Sequence, residues 1–395
     1  MPSAGAAVGP LIDLALRRVT DPAVRAIGDK LARGARLDRA DGIALFQSGD
    51  LIGVGSLADA ANRARNGDVV TFASNQHINP TNICTLRTTC TFCGYARLPK
   101  ETGAYRYSLE QVLDEAANAA DGMTREFHIV GGLDMKAGLA YYEEMFRALK
   151  ANFPHVHIKA LTAVEIAHIA RIEKLSWRDV LRALQAAGLD TLPGGGAETF
   201  SAAVRAQIAG KKLAGADYIG VHRTAHELGI RSNCTMLYGH VETLDDRMEH
   251  LQMLRDLQDE TGGFLAYVPL AYHPDDNQLG VELGRQGTAT SGVDDLKMLA
   301  VGRLFLDNFR HVKSHWIMVS QPVSQLALHF GVNDLEGTVV REKIYHAVGA
   351  HTPQAMTLDA ILALIRGAGK QPAERDSFYK ILRTFEGPVA EPAVA

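Results

Sequence analysis

Through the middle of the chain, strand-like and helix-like hydrophobic patterns follow one another in turn. Short apolar or alternating runs predict β-strands, and windows with apolar residues every three or four positions predict helices between them. The predicted strands are 72–79, 127–130, 155–161, 190–192, 232–238, 264–270, 315–319 and 332–335. The predicted helices are 108–119, 139–150, 177–187, 217–228, 244–261, 294–309 and 322–330. The first helix is marked by a capping box that pairs Ser108 with Gln111.

Strands that alternate with helices predict an α/β fold with a parallel sheet and crossover helices. About eight strands over residues 70–340 favour a closed (β/α)8 TIM-type barrel. An open doubly wound sheet is the alternative, but no G-x-G-x-x-G fingerprint follows the first strand. Residues 1–69 predict an N-terminal helical extension, and residues 341–395 predict C-terminal helices with a loose tail at 388–395.

Composition narrows the classes of function. The 395 residues include 41 Lys and Arg against 45 Asp and Glu, a net charge of −4, which argues against a nucleic-acid coat or a polybasic membrane binder. Hydrophobic residues make up 47% and charged residues 22%, as is typical of globular proteins. No apolar run approaches the roughly 20 residues that span a bilayer. The N-terminal segment lacks the pattern of a secretory signal, so we expect a cytoplasmic protein.

Three of the four cysteines lie within ten residues, as Cys84, Cys90 and Cys93 in a C-x5-C-x2-C pattern. A structural zinc site needs four ligands, and the remaining cysteine, Cys234, is far along the chain. A thiol redox pair would use Cys90 and Cys93 and leave Cys84 spare. An iron–sulfur cube held by three thiolates would leave one iron open to a substrate or cofactor. The clustering favours the iron–sulfur site, with zinc and redox thiols as alternatives.

The segment Cys90-Thr-Phe-Cys93-Gly-Tyr95 resembles the cluster loop of radical S-adenosylmethionine (radical SAM) enzymes. The usual spacing in that family is C-x3-C-x2-C, so two extra residues separate the first cysteine pair here. The resemblance implies that the three cysteines hold a [4Fe-4S] cluster whose open iron binds the amino and carboxylate groups of SAM. Gly131-Gly132 matches the glycine stretch that contacts the SAM amino group in this family.

Further blocks over about residues 70–340 are similar to the aminofutalosine synthase family of the futalosine route to menaquinone. These blocks are 126–133, 157–165, 192–198, 222–229 and 235–240. The dehypoxanthine futalosine cyclases and the deazaflavin-forming enzymes are sister families. The 192–198 block and a further one at 259–264 favour the synthases over both.

This resemblance implies a transferase that consumes SAM as a substrate. The 5′-deoxyadenosyl radical would add to the enol-ether double bond of 3-[(1-carboxyvinyl)oxy]benzoate, and rearrangement with loss of one carboxyl group would give 6-amino-6-deoxyfutalosine. The partners implied are a small-molecule substrate and an electron donor such as flavodoxin or ferredoxin, with no nucleic acid or membrane; a homodimer is one alternative for the assembly. The rival functions are a sister radical SAM enzyme that abstracts hydrogen and a non-catalytic metal-binding protein.

In a barrel of this type the loops after the strands carry the chemistry, and polar residues there become site candidates. The expected SAM-binding residues are Tyr95, Gly131, Gly132, Thr162 and Glu165. Tyr95 could instead be a packed loop aromatic, and Glu165 could simply begin a helix, where acids are favoured.

Other strand-end residues are candidates for contacts with the substrate. The expected catalytic residues are Glu198, His240 and His273, because a carboxylate or imidazole there could move a proton or hold a carboxylate. The expected substrate-binding residues are Asn79, Asn333 and Asp334.

Overall fold

A computed structural model describes residues 5–287, 290–350 and 352–387, so the predicted tail at 388–395 lies outside the described residues. The helices are α1 (Gly5–Leu16), α2 (Pro22–Ala32), α3 (Arg39–Gln47), α4 (Leu51–Asn66), α5 (Leu109–Ala116), α6 (Leu139–Asn152), α7 (Ala163–Glu173), α8 (Trp177–Ala187), α9 (Ala202–Ile208), α10 (Gly215–Glu227), α11 (Leu244–Thr261), α12 (Gln278–Leu283), α13 (Gly292–Phe305), α14 (Trp316–Val319), α15 (Gln321–Ala327) and α16 (Leu358–Gly367). The strands are β1 (Val69–Phe72), β2 (Asn75–Ile78), β3 (Glu126–Ile129), β4 (His157–Ala160), β5 (Thr191–Leu192), β6 (Arg231–Tyr238), β7 (Phe264–Ala271), β8 (His311–Ser314), β9 (Asp334–Leu335), β10 (Gln371–Arg375) and β11 (Ile381–Thr384).

All described strands belong to one curved sheet in the order β11-β10-β1-β9-β8-β7-β6-β5-β4-β3-β2. Every neighbouring pair is parallel except β10 with β11. The segment after β9 reaches β2. There the His77 amide donates to the Val340 carbonyl at 2.9 Å, and Gln76 forms a parallel β-bridge with Val340. The sheet therefore curls back on itself, and the predicted α/β barrel is confirmed.

Helix signals in the sequence act as expected. The predicted Ser108–Gln111 capping box begins α5. The structure shows a further capping box, of Thr243 and Asp246, at the start of α11. Because helices cover the outer face of the sheet, β6 is buried at every position but its first and β7 at all but one. None of the described helices has the length and apolar character needed to cross a membrane.

The four N-terminal helices, α1 to α4, pack on the barrel rather than forming a separate core. Residues of α4 such as Val54 and Leu57 share one buried apolar cluster with the barrel helices. A Cβ added to Gly55 would lie 2.4 Å from the Phe330 ring, so the absence of a side chain there lets α4 approach closely.

Three parts of the predicted secondary structure are wrong. The strand expected at 72–79 is divided into the two strands β1 and β2. The strand expected at 315–319 lies earlier, as β8, and Trp316–Val319 forms the short helix α14. Trp316 is fully buried and donates to the Gly337 carbonyl at 2.9 Å. All four residues of α14 are apolar and three are buried, so this short run has no hydrophobic period that would distinguish a helix from a strand. After residue 341 the chain forms one long helix, α16, but then two strands, so the all-helical C-terminal prediction fails for 371–384.

The C-terminal β10–β11 hairpin covers the N-terminal end of the barrel. The Ser377 hydroxyl donates to Glu126, the first residue of β3, at 2.6 Å. The Tyr379 ring stacks on His311, the first residue of β8, with ring centroids 4.2 Å apart. Since both partners begin barrel strands, the hairpin turn closes the end of the barrel that faces away from the strand-end loops.

Buried ion pairs fill the barrel beside this hairpin. Arg375 of β10 donates two hydrogen bonds to Asp334 of β9, at 2.5 and 2.9 Å, and both side chains are 0% exposed. Lys159 of β4 contacts Glu126 at 2.6 Å. Burial acts to raise the pKa of Glu126, but the charges of Lys159 and Arg375 outweigh it and lower that pKa to about 2. The Glu126 carboxylate therefore stays ionised and depends on these cations.

We predict that Asp334→Ala is strongly destabilising, because it leaves the Arg375 guanidinium buried without its carboxylate partner. The free energy of unfolding should fall by roughly 3–5 kcal/mol. Asp245→Ala is the matched control, since it removes an exposed ion pair with Arg39 and should cost at most about 1 kcal/mol. Urea unfolding of both variants measures the difference, and equal losses would contradict a structural role for Asp334.

Candidate active site

A cavity of about 310 Å³ lies at the C-terminal ends of the barrel strands. Its wall is built from the segments that follow β2, β3, β4, β5, β7, β8 and β9, together with side chains of β6 and β7 themselves. Parallel strands bring these loops to the same end of the barrel, which is where such folds carry their chemistry.

The loop after β2 presents three cysteines to this cavity. Cys84, Cys90 and Cys93 all line it, and none forms a disulfide. The Leu86 amide donates to the Cys84 sulfur at 3.4 Å, the Cys90 amide to the Leu86 carbonyl at 2.9 Å, and the Cys93 amide to the Cys90 carbonyl at 3.2 Å. Successive turns of one compact loop therefore direct all three sulfurs to one region.

The donor set fits an iron–sulfur cube better than a zinc ion. Cys234 is buried on β6, where its thiol donates to the Ala266 carbonyl, and it does not line the cavity. Three thiols without a fourth are suited to a cluster with one open iron. Burial raises the pKa of the Cys90 thiol to about 12, while the positive charge of Lys212 acts in the opposite direction. Lys212 thus favours the thiolate form that a metal cluster requires.

Gly131 and Gly132 line the cavity next to the cysteine segment, in very close contact with the backbone. A Cβ on Gly132 would lie 2.2 Å from the Ile83 carbonyl oxygen, and one on Gly131 would lie 2.8 Å from that of Thr81. The Gly132 amide donates to the Thr81 carbonyl at 2.8 Å. Only glycines allow this segment to pack against the strand extension that leads to Cys84.

Glu165 joins the glycine segment to the start of α7. One carboxylate oxygen accepts from the Gly131 amide at 2.9 Å, and the other accepts from the Thr162 amide at 2.7 Å and hydroxyl at 2.8 Å. The helix-start role of Glu165 is thus present, and both Thr162 and Glu165 also line the cavity. Burial raises the pKa of Glu165 to about 7, although the hydrogen bonds from Thr162 and Gly131 act to lower it.

Buried Glu198 and the mostly buried Lys212 form an ion pair on the same cavity. Glu198 follows the glycine run after β5 and has a φ of 52°, a left-handed conformation that is unusual for a residue with a side chain. The Lys212 ammonium also lies 5.3 Å from the centre of the Phe92 ring, in the cysteine loop. Sequence reasoning missed Lys212, which belongs to a loop between two helices and follows no strand.

Tyr95 and His273 also line the cavity. The Tyr95 hydroxyl lies 2.6 Å from that of Tyr105, and burial raises its pKa. The His273 ring meets Tyr345 edge to face, with centroids 5.6 Å apart. The structure thus brings these two residues together with the cysteines, Glu165 and Glu198, while their individual roles stay predictions.

Four predicted site residues do not line the cavity, which corrects their expected placement. His240 is buried with its ring nitrogens near the Leu237 carbonyl and Glu242, at 3.1 and 3.2 Å. The Asn79 amide donates to the Val130 carbonyl at 2.9 Å, which joins the ends of β2 and β3.

The other two of these residues, Asn333 and Asp334, belong to the opposite end of β9. The Asn333 amide oxygen accepts from Arg303 at 2.7 Å, and Asp334 accepts from Arg375. The sequence pattern placed Asn333 and Asp334 at the C-terminal end of a strand. Because β9 is only two residues long, they lie instead at its N-terminal end.

Sequence reasoning did not identify a second set of polar residues that line the cavity, which we call the second polar group. His77 and His128 lie on β2 and β3, His315 and Glu336 directly follow β8 and β9, and Glu342 lies in the segment after β9. Glu336 directly follows the predicted strand 332–335, so the strand-end signal could have found it. His77 and His128 lie within strands, and only the direction in which each strand faces brings them to the cavity.

Comparison with known proteins agrees with this geometry. The sequence pattern of the Radical SAM superfamily matches residues 78–254, and that of the CofH/MqnC C-terminal region matches residues 261–387. Among solved structures, methylornithine synthase (PylB) superposes with a TM-score of 0.69 at 17% identity over 88% of this chain and 97% of that one. The FeFe-hydrogenase maturase HydG from Carboxydothermus hydrogenoformans has the same TM-score at 17% identity, over 95% of this chain and 84% of that one. At such identity these likenesses show the fold alone.

Sequence relatives extend over nearly the whole chain. The aminodeoxyfutalosine synthase of Thermus thermophilus is 43% identical over 94% of this chain and 99% of its own length. That of Streptomyces coelicolor is 43% identical over 92% of this chain and 95% of its own. The cyclic dehypoxanthine futalosine synthase of Streptomyces coelicolor is 36% identical over 92% and 90%. The chain therefore belongs to the radical SAM superfamily, in the family that these synthases represent.

Proposed function

We propose that this protein is an aminodeoxyfutalosine synthase that joins the adenosyl group of SAM to 3-[(1-carboxyvinyl)oxy]benzoate for menaquinone biosynthesis. The observation that carries the proposal is the 43% identity to the Thermus thermophilus synthase over 94% of this chain and 99% of that one. The cavity supports the proposal, because the three cysteines and the hydrogen-bonded Gly131 and Glu165 line the same cavity.

Cys84, Cys90 and Cys93 would hold the [4Fe-4S] cluster, which when bound and reduced supplies the electron that cleaves SAM to methionine and a 5′-deoxyadenosyl radical. The backbone at Gly131 and Gly132 would position the methionine end of SAM, since both glycines line the cavity next to the cysteine segment. Glu165 would act as a positioning residue, because its carboxylate holds the Gly131 amide and the start of α7 together.

The walls between the polar groups would protect a radical. They are apolar over much of the cavity, with contributions from Leu86, Val130, Leu133, Val164, Leu237, Val268, Leu270, Met318, Ile344 and Val348. Such walls exclude water and hold a flat aromatic substrate by burial of apolar surface. Placement of SAM and substrate is then the main contribution of the protein, and the cofactor supplies the difficult chemistry.

We further propose that a small one-electron carrier such as flavodoxin or ferredoxin reduces the enzyme. The superfamily acts on small molecules and needs a reductant, and a low-potential carrier of this class would meet that need. We place the reaction in the cytoplasm, where such carriers and SAM are found.

The first prediction from the proposed function concerns the product of the reaction. After anaerobic reconstitution and reduction, SAM and 3-[(1-carboxyvinyl)oxy]benzoate should yield a nucleoside adduct that has lost one carboxyl group, detected by mass spectrometry. Free 5′-deoxyadenosine without an adduct would indicate a sister enzyme that abstracts hydrogen. If SAM is not cleaved at all, the remaining hypothesis is a non-catalytic metal-binding protein.

The second prediction concerns the cysteine ligands. Cys84→Ala, Cys90→Ala and Cys93→Ala should each abolish SAM cleavage, because three thiolates are the minimum that holds the cluster. Cys234→Ala is the matched control: it removes a buried thiol that does not line the cavity, and it should retain cluster iron and SAM cleavage. Retained cleavage in any of the first three variants would remove that cysteine from the ligand set.

The third prediction concerns Glu165. Glu165→Ala removes the acceptor of the Gly131 amide, so the affinity for SAM should fall by roughly 5- to 10-fold, as expected when an ordinary buried hydrogen bond that positions the backbone is lost. Asp246→Ala is the control, because it removes a capping box of the same kind from the start of α11. SAM binding to the oxidised, cluster-loaded protein is measured by equilibrium dialysis, with iron content determined in parallel. Equal affinity in both variants would rule out this positioning role.

A further inference from the structure

The second polar group on the cavity contains a set of side chains that the proposed chemistry does not use. We call His77, His128 and Glu336 the His–Glu cluster. One potential ligand atom from each lies within 4.8 Å of the other two. All three line the cavity, so a molecule held there has access to them.

Strand register builds this cluster. His77 on β2 pairs directly with His128 on β3, so the two imidazoles leave the sheet side by side. Their rings are stacked, with centroids 4.5 Å apart and planes inclined by 17°. Glu336 directly follows β9. The segment after β9 runs beside β2, which places the Glu336 carboxylate next to the two imidazoles.

Both imidazoles have nitrogen atoms that are free to act as ligands. His77 is only 6% exposed, and its Nε2 has no hydrogen-bond partner among the described residues. The Nδ1 atom of His128 likewise has none within the described chain. A buried polar atom without a partner is costly, which indicates that something absent from the protein chain satisfies it.

Glu336 is held in place by groups around it. Its carboxylate accepts from Lys313 at 2.9 Å and from the Asn75 amide at 3.2 Å. Supporting contacts of this kind orient ligands at metal sites. His315 and Glu342 line the same cavity, and the Nδ1 atom of His315 also lacks a partner among the described residues.

We propose that His77, His128 and Glu336 bind one divalent transition-metal ion, of the zinc or iron(II) class. Two imidazoles and one carboxylate form the ligand set of catalytic zinc sites and of non-haem iron(II) sites, and such sites leave a position open. Here the open position faces the cavity.

The ligand of that open position is a carboxylate group of the substrate, an inference that rests on the proposed function. The acceptor substrate has two carboxylates, yet four glutamates line the cavity: Glu165, Glu198, Glu336 and Glu342. Among the described residues, Lys212 is the single lysine and no arginine lines it, and Lys212 is paired with Glu198. A dianion needs additional positive charge in such surroundings, and a metal ion on the His–Glu cluster supplies it.

The test measures zinc in the untagged, cluster-loaded protein without SAM or substrate. After exposure to Zn²⁺ and removal of loosely bound metal, plasma mass spectrometry should find one zinc per chain in addition to the cluster iron. His77→Asn, His128→Asn and the isosteric Glu336→Gln should each weaken zinc binding by more than the roughly 10- to 100-fold that loss of an outer-shell partner costs.

His222→Asn is the matched control. His222 is also fully buried with an unpartnered Nε2, but it packs against Ser232 and does not line the cavity. This variant should bind zinc like the parent protein. Circular dichroism and cluster iron verify the folding of each variant, and Glu336→Gln keeps the test valid if a histidine variant fails to fold. Zinc that is absent, or equally retained in all three cluster variants, overturns the metal site.

Turnover then separates this inference from the proposed function. Removal of zinc by a chelator should raise the KM for the dicarboxylate at least 10-fold and leave cleavage of SAM without substrate unchanged. Zinc bound with an unchanged KM overturns the carboxylate contact and keeps the metal site. Zinc bound in a protein that makes no adduct overturns the proposed function and with it the carboxylate contact, but keeps the metal site. Adduct formation without any zinc site overturns only the inference about the metal.

Discussion

Buried charge inside the barrel is the constraint on which the rest of this structure depends. Lys159, Lys313 and Arg375 are almost completely buried, and each is paired with a buried carboxylate. An ion removed from water in this way is tolerated only with a partner in good geometry. The C-terminal hairpin supplies Arg375, so it must remain at the N-terminal end of the barrel, and Asp334 cannot turn toward the cavity.

The same constraint defines where the cavity begins. Toward the N-terminal end of the barrel, ion pairs and the hairpin turn fill the interior. Toward the C-terminal ends of the strands, the strand-end loops leave room for ligands. Glu336 belongs to both regions, because it pairs with Lys313 and also lines the cavity. The metal site that we propose is therefore supported by the charge network that stabilises the fold.

Close backbone contact couples the cysteine segment to the rest of the site. Gly131 and Gly132 pack against the chain that leads to Cys84, and Glu165 holds the Gly131 amide from the start of α7. Two hydrogen bonds, from the Gly131 amide to Glu165 and from the Gly132 amide to the Thr81 carbonyl, thus connect the start of α7 with the segment that leads to the thiols. A residue that caps a helix here also orders the wall of the cavity, and the two roles do not exclude each other.

The sequence by itself determined those features that depend on neighbouring residues. Helical period placed α8 and α11 at the bounds observed, and cysteine spacing singled out three thiols that line one cavity. Tertiary structure decided the features that depend on distant partners. Residues 371–384 form strands because β10 adds to β1, and Asp334 faces Arg375 rather than a ligand. His77 and His128 meet because the register of two strands aligns them, and register is set by the packing of the whole barrel, not by the pattern within either strand.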